Sequence, residues 1–288
     1  MIDQPTLEAL ETRVAAVLDG EPSPELDVLG YGEISTVLRV DGHDGPVAAK
    51  RLPVMTRDQL SAYRAVLDAY VAGLADRGVE TLPSEIHSVG DDPVIPYCVQ
   101  PLHPRLLVNE LTTADASTIE SFAGQLALLV AEAADGTLGI DAQLSNWAVA
   151  GDRLVYFDVT TPLLRTDTGE ERTDLDLFIA SLPWLLQGTV RRLLLGEILS
   201  HYYSPRPALL DAIANLHKER LPHVVEPLLD AANQVVEPVI TPGEVTRYYK
   251  SDARMWGLLQ RLRRADRWWQ RTVRRRRYPF LLPAKIER

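Results

Sequence analysis

Between Val28 and Leu52 the chain is a run of β-type residues with two closely spaced glycines near its start, a turn-forming cluster in its middle and a lysine near its end. That pattern limits the first third of the chain to a sheet with a tight glycine turn. The glycines sit one residue apart in Gly30-Tyr31-Gly32-Glu33-Ile34-Ser35-Thr36-Val37, and Val47-Ala48-Ala49-Lys50 follows a turn-forming cluster, Asp41-Gly42-His43-Asp44-Gly45-Pro46. Lys50 stands out because the chain holds only 4 lysines beside 26 arginines. Glycines without a Cβ let backbone N–H groups approach an anion closely, and a strand ammonium adds a compact charge. By itself each feature has an ordinary reading, a hairpin turn for the glycines and a solvated strand edge for the lysine.

The rest of the chain divides by pattern. Leu7–Leu18 predicts a short amphipathic helix, ended by Glu21-Pro22-Ser23-Pro24. Strands are expected at Val28–Val40 and Val47–Leu52, then a helix over Arg57–Arg77 from Leu60, Tyr63, Leu67, Tyr70 and Leu74 at helical spacing, then strands at Glu85–Val89 and Val94–Gln100. After Pro101-Leu102-His103-Pro104 the character turns helical, with a long apolar helix at Ser117–Ala134 and a short strand pair at Trp147–Ala150 and Leu154–Phe157. Further helices are expected at Asp174–Leu186, Val190–His201, Arg206–Lys218, Val224–Val235, Pro242–Tyr249 and Ala253–Arg274. The expected class is α+β and two-lobed. Residues 1–25 form a helical extension, 26–101 a β-rich lobe, 102–246 a helical lobe and 247–288 a basic helical tail packed on the helical lobe.

Polar residues then fall into an order. Asp141-Ala142-Gln143-Leu144-Ser145-Asn146 is D-x-x-x-x-N, between the long helix and the strand pair, and Asp158 closes the apolar run Tyr156-Phe157. Separately, Asp141 and Asn146 read as turn formers and Asp158 as a strand-end cap. Together with the glycine turn and Lys50 they are far more specific than any one motif. On these residues the chain resembles the protein-kinase-like superfamily, nearest in style to its aminoglycoside phosphotransferase and choline kinase branch. The stretches Tyr248-Tyr249 and Arg277-Tyr278-Pro279-Phe280-Leu281-Leu282-Pro283 resemble a smaller bacterial family of uncharacterised kinase-like proteins.

The resemblance implies a two-lobed fold that binds ATP and Mg²⁺ and transfers phosphate to a hydroxyl of a small molecule. It implies Gly30, Gly32 and Ser35 over the phosphates, Lys50 on them, and Gln100 and Leu102 at the hinge beside the base. Asn146 and Asp158 would be the metal's oxygen ligands and Asp141 the base that receives the acceptor's proton. Gln143, Ser145 and Trp147 are expected along the acceptor pocket. Several positions depart from the pattern. Ser35 replaces the third loop glycine, Gly139-Ile140 stand where His-Arg precedes the catalytic Asp, and Val159-Thr160 stand where Phe-Gly follows the metal Asp. No Glu in Arg57–Arg77 matches the usual partner of Lys50; the nearest acid is Asp68, and Pro101 lacks the N–H that a hinge uses for adenine. The missing Glu and the altered Ser35 keep open a pseudokinase or nucleotide-binding scaffold acting through a partner. AMP transfer on the same frame stays open because the same residues would hold the triphosphate either way.

Composition excludes some classes. One cysteine, Cys98, rules out an intramolecular disulfide and fits a reducing compartment, and the six histidines lack metal-ligand spacing. Met1-Ile2-Asp3-Gln4-Pro5 has neither the basic nor the apolar region of a secretory leader, so a cytoplasmic location is expected. The formal charge of −10 is uneven: residues 247–288 hold 14 Lys and Arg against 3 Asp and Glu, a net of +11, leaving −21 on residues 1–246. Such a tail either docks on the acidic body or meets an anionic partner. Leu258, Leu262, Ala265, Trp269 and Val273 form an apolar stripe that is expected to pack against the body, which makes no strong case for nucleic acid or membrane.

Overall fold

The computed structural model describes residues 2–21, 26–31, 35–174, 176–179, 199–275, 278 and 281. It is an α+β protein whose principal sheet has five strands in the order β1-β2-β3-β5-β4, all neighbours antiparallel. The strands are β1 Val28–Tyr31, β2 Thr36–Gly42, β3 Gly45–Arg51, β4 Glu85–Val89 and β5 Ile95–Pro101. Helix α1, Gln4–Asp19, precedes them, and α2, Arg57–Asp76, lies between β3 and β4. Local chemistry sets these ends. Asp3 accepts from the Thr6 N–H at the start of α1, and α1 stops at Gly20 in the left-handed region, φ 93°. Thr56 and Gln59 form a reciprocal capping box on α2.

Side chains alternate across the sheet, and the two faces have different partners. Leu38, Val40, Val47, Ala49, Tyr97 and Val99 pack with Leu7, Leu10, Val14 and Leu18 of α1 in one apolar cluster. Within it Glu11 receives two hydrogen bonds from Arg51, at 2.8 and 2.9 Å, and one from the Tyr97 hydroxyl at 2.6 Å. A buried carboxylate is tolerable there because both of its oxygens are bound to donors. Cys98 faces the other way and joins the larger core with Leu60, Tyr63, Leu67, Tyr70 and Leu74 of α2.

That larger core continues through the helical portion. Its elements are α3 Leu107–Glu110, α4 Ala116–Ala133, the hairpin β6 Trp147–Ala150 and β7 Arg153–Tyr156, α5 Asp176–Ile179, α6 Pro205–Asn215, α7 Val225–Asn233 and α8 Pro242–Thr272. Helix α4 packs on α6 and α7, and α8 begins against α6. The helices expected over Asp174–Leu186 and Val190–His201 fall mostly outside the described residues, as do Gly32 and most of Arg277–Pro283.

Three differences from expectation have physical causes. The single run expected at Val28–Val40 is two strands, paired antiparallel with a register shift between Val28 and Gly30. The two helices expected from Pro242 to Arg274 are one, because Lys250, Ser251 and Asp252 contain no helix breaker and Thr241 with Glu244 caps its start. The tail helix also packs differently. Its start lies on α6, but its last turn reaches α1, where Arg271 donates to the Leu18 carbonyl at 2.6 Å. Among the described residues of its second half Arg263 and Asp266 are buried, whereas Ala265, Trp269 and Val273 of the expected stripe are exposed. Among the described residues no helix is long and apolar enough to cross a membrane.

Candidate functional site

Lys50 lies next to Arg51 on β3, and alternation sends the two side chains to opposite faces. Lys50 Nζ donates to Asp158 Oδ1 at 2.6 Å, joining the sheet to the segment after β7. Thr160 Oγ1 donates to the same oxygen at 3.1 Å. The segment carrying Asp158 is held from three sides. Gln100 of β5 donates to the Phe157 carbonyl at 2.8 Å, the Phe157 N–H donates to the Asn146 carbonyl at 3.0 Å, and the Tyr63 hydroxyl of α2 donates to the Thr160 carbonyl at 2.9 Å. Burial alone would raise the Asp158 pKa, but the charge and hydrogen bond of Lys50, with Thr160, outweigh it and hold the carboxyl below its usual value.

Asp141 occupies the same neighbourhood. The strand of loop before it is fixed by backbone bonds from Gly139 N–H to Leu163 O and from Ile140 N–H to Tyr202 O, and by the Tyr70 hydroxyl on Gly139 O at 3.0 Å. A Cβ at Gly139 would meet the Tyr202 carbonyl oxygen at 3.0 Å and Leu163 Cβ at 3.2 Å, so crowding explains the glycine at this position. Beyond Asp141 a single 3-10 turn, Leu144–Asn146, leads into β6. The Gln143 N–H donates to Asp141 Oδ1 at 3.1 Å, and the Asn146 amide donates to the Asp141 carbonyl at 3.4 Å. Burial, then the charges of Asp211 and Asp158, push the Asp141 carboxyl up to about 7.

Two acids that sequence reasoning missed complete the site. Asp211 of α6 accepts from Gln143 Nε2 at 3.2 Å, so one glutamine bridges Asp141 and Asp211. Burial raises the Asp211 pKa, and nearby Asp252 adds to it, while Tyr248 and Gln143 hydrogen bonds oppose the shift. Glu219 accepts the Ser145 N–H at 3.2 Å, and burial raises its pKa as well. The signal was present in Leu209-Leu210-Asp211-Ala212-Ile213, an acid inside an otherwise apolar helical run.

Other expected residues stand as follows. Gly30 lies in β1 at the register shift, where an added Cβ would meet open space, so packing among the described residues does not require glycine there. Ser35 is buried just before β2. Gln100 is buried, and its amide is used within the protein by Phe157 O and Ser84 Oγ, which makes it a brace for the Asp158 segment and takes it away from a ligand. The Leu102 N–H donates to Pro46 O at 3.2 Å, which removes it as the expected backbone donor at the hinge. Trp147 is fully buried against Tyr156, with ring centroids 5.0 Å apart, and so belongs to the core instead of an acceptor pocket. Asp68 is exposed on α2, whose inner face presents Tyr63 and Tyr70. The acid on Lys50 is therefore Asp158.

The donor set suits a hard divalent cation in part. Asp158 is a charged carboxylate, and with its amide nitrogen turned to Asp141 O, Asn146 keeps an oxygen without a donor among the described residues. Among those residues no group of three His, Cys, Asp or Glu side chains forms a closed cage. Two protein oxygens with the remaining positions left to phosphate and water is the arrangement Mg²⁺ prefers.

Sheet and helices define an α+β protein with a lysine–carboxylate pair beside a loop whose Gln143 joins Asp141 to Asp211. The chain belongs to the family of unknown function DUF6206, whose family model matches residues 9–267. That span takes in every residue of the site. No curated protein matches the chain.

Proposed function

We propose that the protein is an ATP- and Mg²⁺-dependent phosphotransferase of the two-lobed, protein-kinase-like type, acting on a hydroxyl of a small molecule. The observation that carries this reading is the bond between Lys50 and Asp158, residues 108 apart in sequence, with Asp141 and Asn146 on the adjoining loop. A lysine and a metal-binding acid brought together beside a D-x-x-x-x-N loop is the arrangement that phosphoryl transfer uses.

In this reading Lys50, which now pairs with Asp158, would meet the α- and β-phosphates, and Asn146 and Asp158 would hold the metal ion. Mg²⁺, when bound, neutralises charge that develops on the phosphate oxygens. Asp141 accepts a proton from the acceptor hydroxyl and aims its oxygen in line with the phosphorus. Its raised pKa, about 7, suits a group that must take a proton near neutrality. Gln143 fixes the carboxyl that does so through its backbone N–H, and is itself fixed by Asp211. The new P–O bond forms as the bond to the leaving ADP oxygen breaks, and the proton passes to Asp141.

A scaffold that binds nucleotide without turnover is the second reading. The absence of an acid on the inner face of α2, among the described residues, favours it, because Lys50 then has only Asp158 to hold it in place. Nucleotide products separate these readings and AMP transfer. Incubation with ATP and Mg²⁺, using water as surrogate acceptor, should release ADP slowly in the wild type and not in Asp158→Asn. Pyrophosphate release would point to AMP transfer. No Asp158-dependent product at all would leave the scaffold.

A further inference from the structure

The outward face of α8 carries a row of cations: Arg247, Lys250, Arg254, Arg261 and Arg264, at intervals of three, four, seven and three residues. That spacing keeps them on one side of a 3.6-residue helix, along a ridge of about 25 Å. All five are exposed, and none has an ion-pair partner among the described residues. Trp268, 61% exposed, continues the row four residues beyond Arg264, and Trp269 and Val273 stand beside it, 40% and 48% exposed. At the other end Arg247, Lys250, Ser251, Arg254 and Met255 line a shallow hollow of about 570 Å³. The opposite side of the helix is turned inward, with Val245, Arg263 and Asp266 buried.

We propose that this face docks the protein on an anionic membrane surface. Guanidinium groups bind lipid phosphate in a two-pronged geometry, and indole rings settle in the headgroup layer where one edge is apolar and the other wet. A basic ridge along one helix, with apolar residues at one end, fits a plane, and the helix is too charged to enter the hydrocarbon, so it lies on the bilayer. Charge separation works in the same direction. Residues 1–246 carry −21 and residues 247–288 carry +11, so a planar anionic surface attracts the ridge and repels a turned-over body. A polynucleotide is the poorer fit. Its bases would need aromatic platforms along the row, whereas the exposed tryptophans gather at one end.

Sedimentation of the full chain with phosphatidylcholine vesicles, with and without about 30% phosphatidylglycerol, tests this. Binding should require the anionic lipid and fall with salt. Each neutralised cation should weaken it about fivefold, so Arg254→Gln/Arg261→Gln/Arg264→Gln should lose roughly a hundredfold. Trp268→Ala should weaken it several-fold and remove most of the blue shift in tryptophan emission on vesicle addition. Circular dichroism melts check that both variants fold; should the triple variant fail to fold, the Trp268→Ala result decides. The proposal is overturned if the anionic vesicles are not bound, or if the folded triple variant binds them as the wild type does. It is equally overturned if vesicles are ignored while a single-stranded oligonucleotide is bound through the same arginines.

Discussion

Lys50 and Arg51 are consecutive on β3, yet each meets a carboxylate on an opposite face of the sheet: Asp158 at 2.6 Å and Glu11 at 2.8 Å. The strand is thereby fixed from behind by α1 while it presents Lys50 to the site in front. The Glu11–Arg51 pair is well buried, with side chains 8% and 11% exposed, and Tyr97 completes it. Removing one partner from such a pair strands the other charge away from water. Glu11→Ala should therefore lower unfolding free energy by about 3 kcal/mol in urea titrations. Leu10→Ala, also on α1, removes apolar packing without stranding a charge and serves as comparison. It should cost a similar amount but leave the position of Lys50, read by nucleotide affinity, less disturbed.

Asp141→Asn separates chemistry from folding. In the proposed reaction Asp141 accepts the proton, so its loss should reduce turnover by about 10²–10⁴-fold with nucleotide affinity kept. The sign of its effect on stability runs the other way. A carboxyl raised to about 7 in the folded state binds more protons than the unfolded chain between roughly pH 4 and pH 7. Stability of the nucleotide-free protein therefore falls as pH rises through that window, and the penalty is complete above it. Melting curves should show Asp141→Asn more stable than wild type at pH 8, by a few degrees, with the difference gone near pH 4.

Asp135 gives the opposite pH signature. Burial works against its charge, but the Leu138 N–H, Arg77 and Thr137 more than compensate and hold its pKa well below normal. These bonds fasten the end of α2 to the loop leading into Asp141. A depressed folded-state pKa gives stability that is present above about pH 4 and lost as pH falls further. Asp135→Asn should lower the melting temperature at pH 7, and the gap between variant and wild type should shrink steadily below pH 4.

Gln100 serves as a brace between β5 and the Phe157 carbonyl. Gln100→Ala should cost about 1 kcal/mol in stability, since it leaves the part-buried Phe157 carbonyl without that donor. It should also weaken nucleotide binding by displacing Asp158. A variant that binds more tightly would show that the amide had been obstructing the site.

Much of the sheet and of α2 was legible because the information is local. Leu60, Tyr63, Leu67, Tyr70 and Leu74 recur at helical spacing, and all are buried in α2. The nearness of Asp141 and Asn146 was legible because they are five residues apart in sequence, and the Asn146 amide donates to the Asp141 carbonyl. Pairings across the chain were not. Glu11 with Arg51, and Gln143 with Asp211, depend on which helix lands beside which strand, and neither partner alters its own local pattern. Asp68 was the nearest acid along the sequence but faces water, because the α2 face that meets the site belongs to its tyrosines. In the tail, hydrophobicity pointed to Trp269 and Val273 as the buried side, yet Arg263 and Asp266 are buried there beside Tyr278. A local apolar stripe does not specify its face when the partner surface is polar.

The proposed function requires Lys50, Asn146 and Asp158 together to hold a nucleoside triphosphate through Mg²⁺. A thermal-shift titration with ATP, with and without Mg²⁺, tests it most directly on wild type, Lys50→Ala and Asp158→Asn. A ligand that binds only the folded state raises the melting temperature with concentration. A Mg²⁺-dependent rise is expected in the wild type, and both substitutions should abolish it. No rise with ATP and Mg²⁺, or an equal rise in both variants, would contradict the proposed function.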